Sequence, residues 1–219
     1  MSPPARSSRA RTRPLAAASA CAGPRTLADV TASAHVDVAH LAGPALPAAR
    51  LRQAVDLIRR TMEPFSGKVD VRAKREELAA AETRHVLVTS SDGRLLGFAA
   101  WQLTEEEGVP VAYLLELHLE PFARGMSLGS SLVREVERLA RQHGGVRGIV
   151  LTVHAKNVAA QRFYESALGF EVSPISPSQC APPSMVRDYE IMQKLWDDGA
   201  RRRMRKRGAA AKRALAATP

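Results

Sequence analysis

Two stretches of this 219-residue chain have residue types and spacing suited to chemistry. The first is Arg124-Gly125-Met126-Ser127-Leu128-Gly129, followed by Ser130, which lies between an apolar strand and a helical pattern. Backbone N–H groups and the positive end of a helix dipole converge at such a connection, and this is the usual means of holding a phosphate. No Gly-Lys-Ser/Thr follows and no Gly-x-Gly-x-x-Gly is present, so it is neither a Walker loop nor a dinucleotide fingerprint. On its own, a strand-to-helix turn with two glycines is weak evidence and reads first as a plain tight connection. The second stretch is Glu116, set mid-strand between Leu115 and Leu117. Alternation puts its carboxylate on one sheet face among apolar neighbours, either as a general base or as an acid paired with a nearby Arg. His118 and Glu120 share that face, and His118 reads as a structural residue or a proton relay. Cys21 and Cys180 lack the paired spacing of a zinc site, and no metal is expected.

The surrounding pattern supplies the elements that must position these groups. After Pro47, Leu51, Val55, Ile58 and Met62 recur at helical spacing to about Pro64, and a more polar helix is expected over Asp70 to Glu82. Arg84 to Thr89 alternates, Asp92-Gly93 marks a hairpin turn, and Leu95 to Leu103 runs back as a strand. A reversal at Glu105-Glu106-Glu107-Gly108 leads into a third strand, Val109 to Leu119. Then come a helix from Leu128 to about His143, a strand Gly148 to Val153, a helix Asn157 to Leu168, and strands Gly169 to Val172 and Arg187 to Leu195. A meander followed by alternating strands and helices is a mixed α/β layer with at least one parallel pair joined by a helical crossover.

The formal charge of +10 divides unevenly. Residues 1–28 carry five Arg and no acid, 197–219 carry eight bases and two acids, and the stretch between them nets −1. The expected organisation is a disordered basic tail over 1–46, a domain over 47–196 and a basic tail over 197–219. The Arg- and Ser-rich start also has the composition of an organelle transit peptide. The hydrophobic share of 45% and charged share of 25% are ordinary for a globular protein, and no apolar run is long enough for a membrane span.

The Arg124-x-x-Ser127-x-Gly129 loop, together with Asn157 and the segment from Ala160 through Phe163-Tyr164 to Leu168-Gly169-Phe170, resembles the GCN5-related N-acetyltransferase superfamily. The resemblance implies a mostly antiparallel sheet with a splayed central parallel pair, and acetyl-CoA as co-substrate. It implies that the amides of Arg124 to Ser130 cradle the pyrophosphate, that those of Leu117, His118 and Leu119 meet the acetyl and pantetheine groups, and that Asn157 lines the far side. Ser127 stands where the family has its first loop glycine. Lys74-Arg75-Glu76-Glu77, Tyr113 to Glu120, Ser176-Pro177-Ser178 and Tyr189-Glu190-Ile191 are similar to the N-alpha-acetyltransferase D branch, which acetylates the N-terminal Ser of histone H4 and histone 2A.

That branch implies Glu116 as the base, working through water. It leaves Tyr164 either the proton donor to the departing thiolate or an aromatic packed on the co-substrate. Thr104, Leu115, Thr152 and Tyr189 fall on the peptide side, with Thr104 replacing an Asp and Leu115 a Tyr. The acidic Glu105 and Glu106 either meet a cationic histone tail or cap the turn in solvent. The Arg201–Arg207 run resembles a nuclear localisation signal that could also contact nucleosomal DNA, giving a nuclear and cytoplasmic enzyme, or an organellar one if the first residues are a transit peptide.

Overall fold

The computed structural model describes residues 36–181 and 187–216. The expectations for residues 1–28, including the transit peptide, lie outside the described residues. Strands β1 (Val36–Ala42), β2 (Arg84–Ser90), β3 (Leu95–Glu106), β4 (Val109–Leu119), β5 (Gly148–His154), β6 (Glu171–Val172) and β7 (Tyr189–Leu195) form one seven-stranded sheet in the order β1-β2-β3-β4-β5-β7-β6. Every pair is antiparallel except β4 with β5, which run parallel over Ala112–Leu114 and Ile149–Leu151. The expected mixed fold is therefore present.

Helices α1 (Ala48–Ser66) and α2 (Val71–Ala79) cover one face over β2 to β4, where Val55, Leu57, Ile58 and Leu78 pack on Leu87, Phe98 and Ala100. The opposite face carries α3 (Leu128–Arg141), whose Leu128, Leu132, Val136 and Ala140 enclose Ala99, Trp101, Leu114 and Leu151. Asp70 caps α2 by accepting from the amides of Arg72 and Ala73, each at 3.0 Å. The helix after β5 starts at its Asn157 cap as α4 (Val158–Arg162) but widens into a π-helical turn over Phe163–Ala167. A four-residue helix α5 (Pro177–Cys180), not expected from periodicity, precedes β7.

Three boundaries differ from expectation. Residues 36–46 are not a disordered tail: β1 pairs with β2 from Val36–Ser90 to Ala42–Arg84. An edge strand draws its stability from the ladder, and β1 leaves residues such as Val38 exposed, so it has no strong apolar period. The β3–β4 reversal is tighter than expected. β3 runs to Glu106, and only Glu107 (φ 49°) and Gly108 (φ 77°) make the turn, the two left-handed positions a two-residue hairpin requires.

The C-terminal tail is a helix, α6 (Asp198–Ala216). Among its cations, Ala200, Met204 and Gly208 recur every fourth residue; the first two face the sheet and Gly208 faces the segment after β6. Ala200 and Met204 pack on Val109, Val111, Val150 and Leu195. A Cβ at Gly208 would lie 2.2 Å from the Pro174 carbonyl oxygen, so the helix approaches too closely for any other residue.

Met204 is fully buried, so Met204→Ala is expected to lower the unfolding free energy by about 2–4 kcal/mol in urea titration, where a solvated tail would lose nothing.

Candidate active site

The site begins with a register shift. Trp101 of β3 opposes Leu114, but Ala100 opposes Glu116, so Leu115 is an extra residue bulged out of β4. Without it, Glu116 would follow Ala112 and Leu114 into the core beneath α3. With it, Glu116 and His118 turn to the face of Phe98 and Ala100, under α1 and α2. The same place ends the parallel pairing, since β4 and β5 separate beyond Leu114 and Leu151. The Glu120 amide donates to Leu96 O at 2.8 Å. By antiparallel alternation the amides of His118 and Glu116 also face β3, while those of Leu117 and Leu119 face the gap. The expectation for the His118 amide is therefore corrected: it belongs to the sheet ladder, and only Leu117 and Leu119 present amides to the opening.

Glu116 is only 7% exposed, yet both its oxygens are engaged. Lys74 Nζ of α2 lies 2.6 Å from Oε1, and His118 Nε2 lies 2.5 Å from Oε2. Lys74 also reaches Glu77 at 2.7 Å. The partner of Glu116 is thus a lysine and a histidine, not an Arg. Burial pushes the Glu116 carboxyl upward, but the hydrogen bond and charge of His118, followed by Lys74, outweigh it and hold it below the ordinary carboxylate range. Burial likewise opposes charge on Lys74, and Glu116 and Glu77 reverse that, holding it above the usual amine range. Behind His118, Nδ1 sits 2.7 Å from Thr61 Oγ of α1. Arg60 of α1 forms a two-pronged pair with Glu120 at 2.7 and 3.0 Å, which ties that helix to the end of β4.

A cavity of about 1030 Å³ runs along the gap, at the upper end of the range for ligand pockets. Arg124, Gly125, Ser127, Gly129 and Ser130 line one end. The first-turn amides of α3 have no helical acceptor, and Gly125 has open space where a Cβ would stand. Met126 and Leu128 do not line the cavity; their side chains pack into the core. Ser127 holds φ 63° at the helix cap without a side-chain capping bond, a left-handed conformation that favours glycine. Tyr164 lies on the cavity wall with its ring 5.5 Å from Phe170, and Asn157 lines the same wall while accepting from the Ala160 amide at 3.2 Å. Burial, with the Glu116 charge added, pushes the Tyr164 hydroxyl upward, so it stays protonated at neutral pH.

A sequence profile of the Acetyltransferase (GNAT) family matches residues 51–170, from α1 through the second cavity wall. The chain belongs to this family. Among curated relatives of this GNAT protein, N-alpha-acetyltransferase 40 of Saccharomyces cerevisiae is 35% identical over 115 residues, covering 44% of this chain and 40% of the relative. The chain thus spans about two fifths of that relative's length. An acetyltransferase of the GNAT family from Staphylococcus aureus Mu50 superposes with a TM-score of 0.57 at 17% identity, over 74% of this chain and 99% of that one. Arabidopsis thaliana NAA60, solved with a bisubstrate analogue, gives 0.53 at 12%, over 74% and 100%. Naa50 of the same plant, solved with the analogue CoA-Ac-MVNAL, gives 0.51 at 23%, over 74% and 99%. At these identities the likeness is one of fold.

On the GNAT site, Leu115, Thr152 and Tyr189 line the mouth opposite the Arg124 loop. Tyr189 is positioned by its neighbour: Glu190 accepts from the hydroxyls of Ser176 and Ser178, each at 2.6 Å, and Ser176 Oγ accepts from the Ile191 amide at 2.8 Å. The Ser-Pro-Ser and Tyr-Glu-Ile motifs are one structural clip. Thr104, Glu105 and Glu106 do not join them. They sit four to six residues beyond Ala100, the partner of Glu116, which at ~3.4 Å per residue is ~13–20 Å along the sheet. The turn they approach is engaged by α6, with Arg207 3.6 Å from Glu107 and Arg203 donating to Gly108 O at 2.6 Å.

Sequence reasoning missed Thr61, which sits in the α1 stripe and reads as core, and the pairing of Lys74, which lies in a run of charge. It also missed His154, whose ring at the end of β5 meets Phe65 of α1 at 6.2 Å across the cavity.

Two outcomes follow from this geometry. Ser127→Val places a β-branched side chain at a left-handed position, which costs ~1–2 kcal/mol, and is expected to weaken acetyl-CoA binding about tenfold by calorimetry; Ser127→Gly is expected to match or exceed wild type. The folded-state pKa of Glu116 lies below its unfolded value, so its stabilising contribution is complete above the ordinary Glu range and is lost as pH falls through the folded value. Urea titrations should therefore show a smaller loss of stability between pH 7 and pH 3 for Glu116→Gln than for wild type.

Proposed function

We propose that this protein transfers an acetyl group from acetyl-CoA to the α-amine of protein N-termini, with Ser-starting histone H4 and histone 2A tails as substrates. One observation carries the reading: a buried, ionised carboxylate stands at the strand separation, within a single cavity whose two ends offer a phosphate-type loop and an open mouth lined by Thr152 and Tyr189. The match to yeast N-alpha-acetyltransferase 40 supports α-amine chemistry.

In this reading the pyrophosphate rests on the amides from Leu128 to Ser130, and the thioester carbonyl lies against the amides of Leu117 and Leu119, which stabilise the developing oxyanion. The free amine attacks the carbonyl carbon, a C–N bond forms and the C–S bond breaks. The Glu116 site accepts the proton the ammonium loses beforehand. After attack the nitrogen sheds its second proton to water, Tyr164 gives its hydroxyl proton to the departing thiolate, and the tyrosinate takes a proton back from that water. Exposed cations of α6 without a carboxylate partner among the described residues, such as Arg202, Arg205 and Lys206, would serve nuclear entry or contact with nucleosomal DNA, placing the enzyme in nucleus and cytoplasm.

A second reading, acetylation of a wider set of N-termini or of small amines, is favoured by the acidic turn's engagement with α6. Purified protein with acetyl-CoA and a Ser-Gly-Arg-Gly-Lys peptide is expected to acetylate the free α-amine and leave an α-blocked copy unmodified. Equal labelling of both copies would indicate lysine chemistry and remove the proposal. Peptides changed only at residues two and three decide between the readings: a rate loss of tenfold or more supports histone tails, and unchanged rates support the wider range.

A further inference from the structure

Thr61 has one hydroxyl proton and three neighbours. Its Oγ lies 2.7 Å from Leu57 O and 3.1 Å from Ile58 O, which are carbonyls of its own helix and can only accept. The proton therefore goes to α1, and the 2.7 Å contact with His118 requires Nδ1–H to donate to Thr61. This settles the orientation of the imidazole. Its other nitrogen, Nε2, lies 2.5 Å from a Glu116 oxygen, and such a contact requires one proton between them. The charges around it come from few groups: Lys74 and Glu77 from α2, Glu116 from β4, and Tyr164 beyond, whose hydroxyl is protonated. Phe98 of β3 closes the other side with an uncharged ring at 5.7 Å. With a neutral imidazole, Lys74, Glu77 and Glu116 sum to −1; one added proton makes the cluster neutral.

We propose that the general base is Glu116 and His118 acting as one unit, with Glu116 facing the substrate amine, His118 Nε2 holding the proton and Thr61 aligning the imidazole. The assignment rests on the acetyltransferase reading above. The geometry described is that of the pair after it has taken a proton; the working form is the one that has lost it to solvent. The substrate ammonium, R–NH3+, gives one N–H proton to the Glu116 carboxylate, which passes it to Nε2, leaving R–NH2 to attack. An α-ammonium is a far weaker acid than a carboxylic acid, so a carboxylate alone is a poorly matched acceptor, and a second basic group hydrogen-bonded behind it lets the proton be kept away from the amine. His118 and Thr61 act through Glu116 and are positioning residues. Glu116 is the group that meets the substrate.

The test is the pH profile of kcat on the Ser-Gly-Arg-Gly-Lys peptide for wild type, His118→Gln, Thr61→Val and Thr61→Ser, alongside acetyl-CoA affinity. Gln fills the same space and keeps hydrogen bonds but holds no proton. His118→Gln is expected to lower plateau kcat ~10- to 100-fold, move the acidic limb at least one unit lower and leave acetyl-CoA affinity within twofold. Thr61→Val should lose ~3- to 10-fold, and Thr61→Ser should recover most of that. A His118→Gln enzyme with kcat within twofold of wild type and an unmoved limb overturns the proposal. Nitrogen-15 NMR of the imidazole separates this from failure of the substrate reading. If wild type does not acetylate the peptide, that reading falls, while a His118 protonated at Nδ1 whose titration shifts in Glu116→Gln still supports the pair. A neutral tautomer with Nδ1 bare, or a titration unchanged in Glu116→Gln, overturns the pair whatever the substrate.

Discussion

One extra residue in β4 determines how the rest of the site is built. A sheet with a period of two admits no gradual change of face, so the bulge at Leu115 sends every later side chain to the opposite side. Glu116 leaves the core under α3 and enters the space beneath α1 and α2. The strand also bends, and β4 parts from β5 where the shift occurs. The placement of the Glu116 carboxylate and the exposure of the Leu117 and Leu119 amides to the gap are therefore set by one local event, and neither can be moved without the other.

That event creates an electrostatic cost which the helices must offset. A carboxylate at 7% exposure is strongly disfavoured unless charged partners and hydrogen bonds replace water. α2 provides Lys74 and α1 provides Thr61 behind His118, so the two helices covering this face are the supports of the site as well as its roof. Their placement is secured away from the carboxylate: the Asp70 cap fixes where α2 starts, and the Arg60–Glu120 pair fixes α1 against the strand end. Such surface pairs contribute little to stability, but a two-pronged one constrains geometry.

Much of this was legible in the residues, and what was not has physical reasons. The meander, α3 and its loop have strong periods and turn signals, so their boundaries fall within a few residues of expectation. The bulge has no residue signature: Leu115 is an ordinary strand residue, and only the pairing with β3 shows that it is unpaired. The edge strand β1 depends on its ladder and lacks an apolar stripe. In α6 the stripe is Ala200, Met204 and Gly208, two of them too small to register as hydrophobic signal among eight cations over residues 201–213. The cavity gathers Glu116, Tyr164, Thr152, Tyr189 and the Arg124 loop, but not Thr104, Glu105 or Glu106, because distance along a strand is set by register, and resemblance alone does not supply it.

The charge distribution acquires a different meaning from this packing. A basic C-terminal segment and an acidic turn read separately as a tether and as a receptor for a cationic substrate. In the fold they meet: Arg207 approaches Glu107, and Arg203 closes on the turn's own carbonyl. The acidic turn thus has cationic neighbours before any peptide arrives, and a cationic substrate would gain there only by displacing them, with little net electrostatic benefit. Within the cavity Glu116 is already held between Lys74 and His118. In the proposed reading, selectivity for a basic tail would rest on shape and hydrogen bonding around Leu115, Thr152 and Tyr189, where the bonds of Glu190 to Ser176 and Ser178 hold the strand of Tyr189 in place.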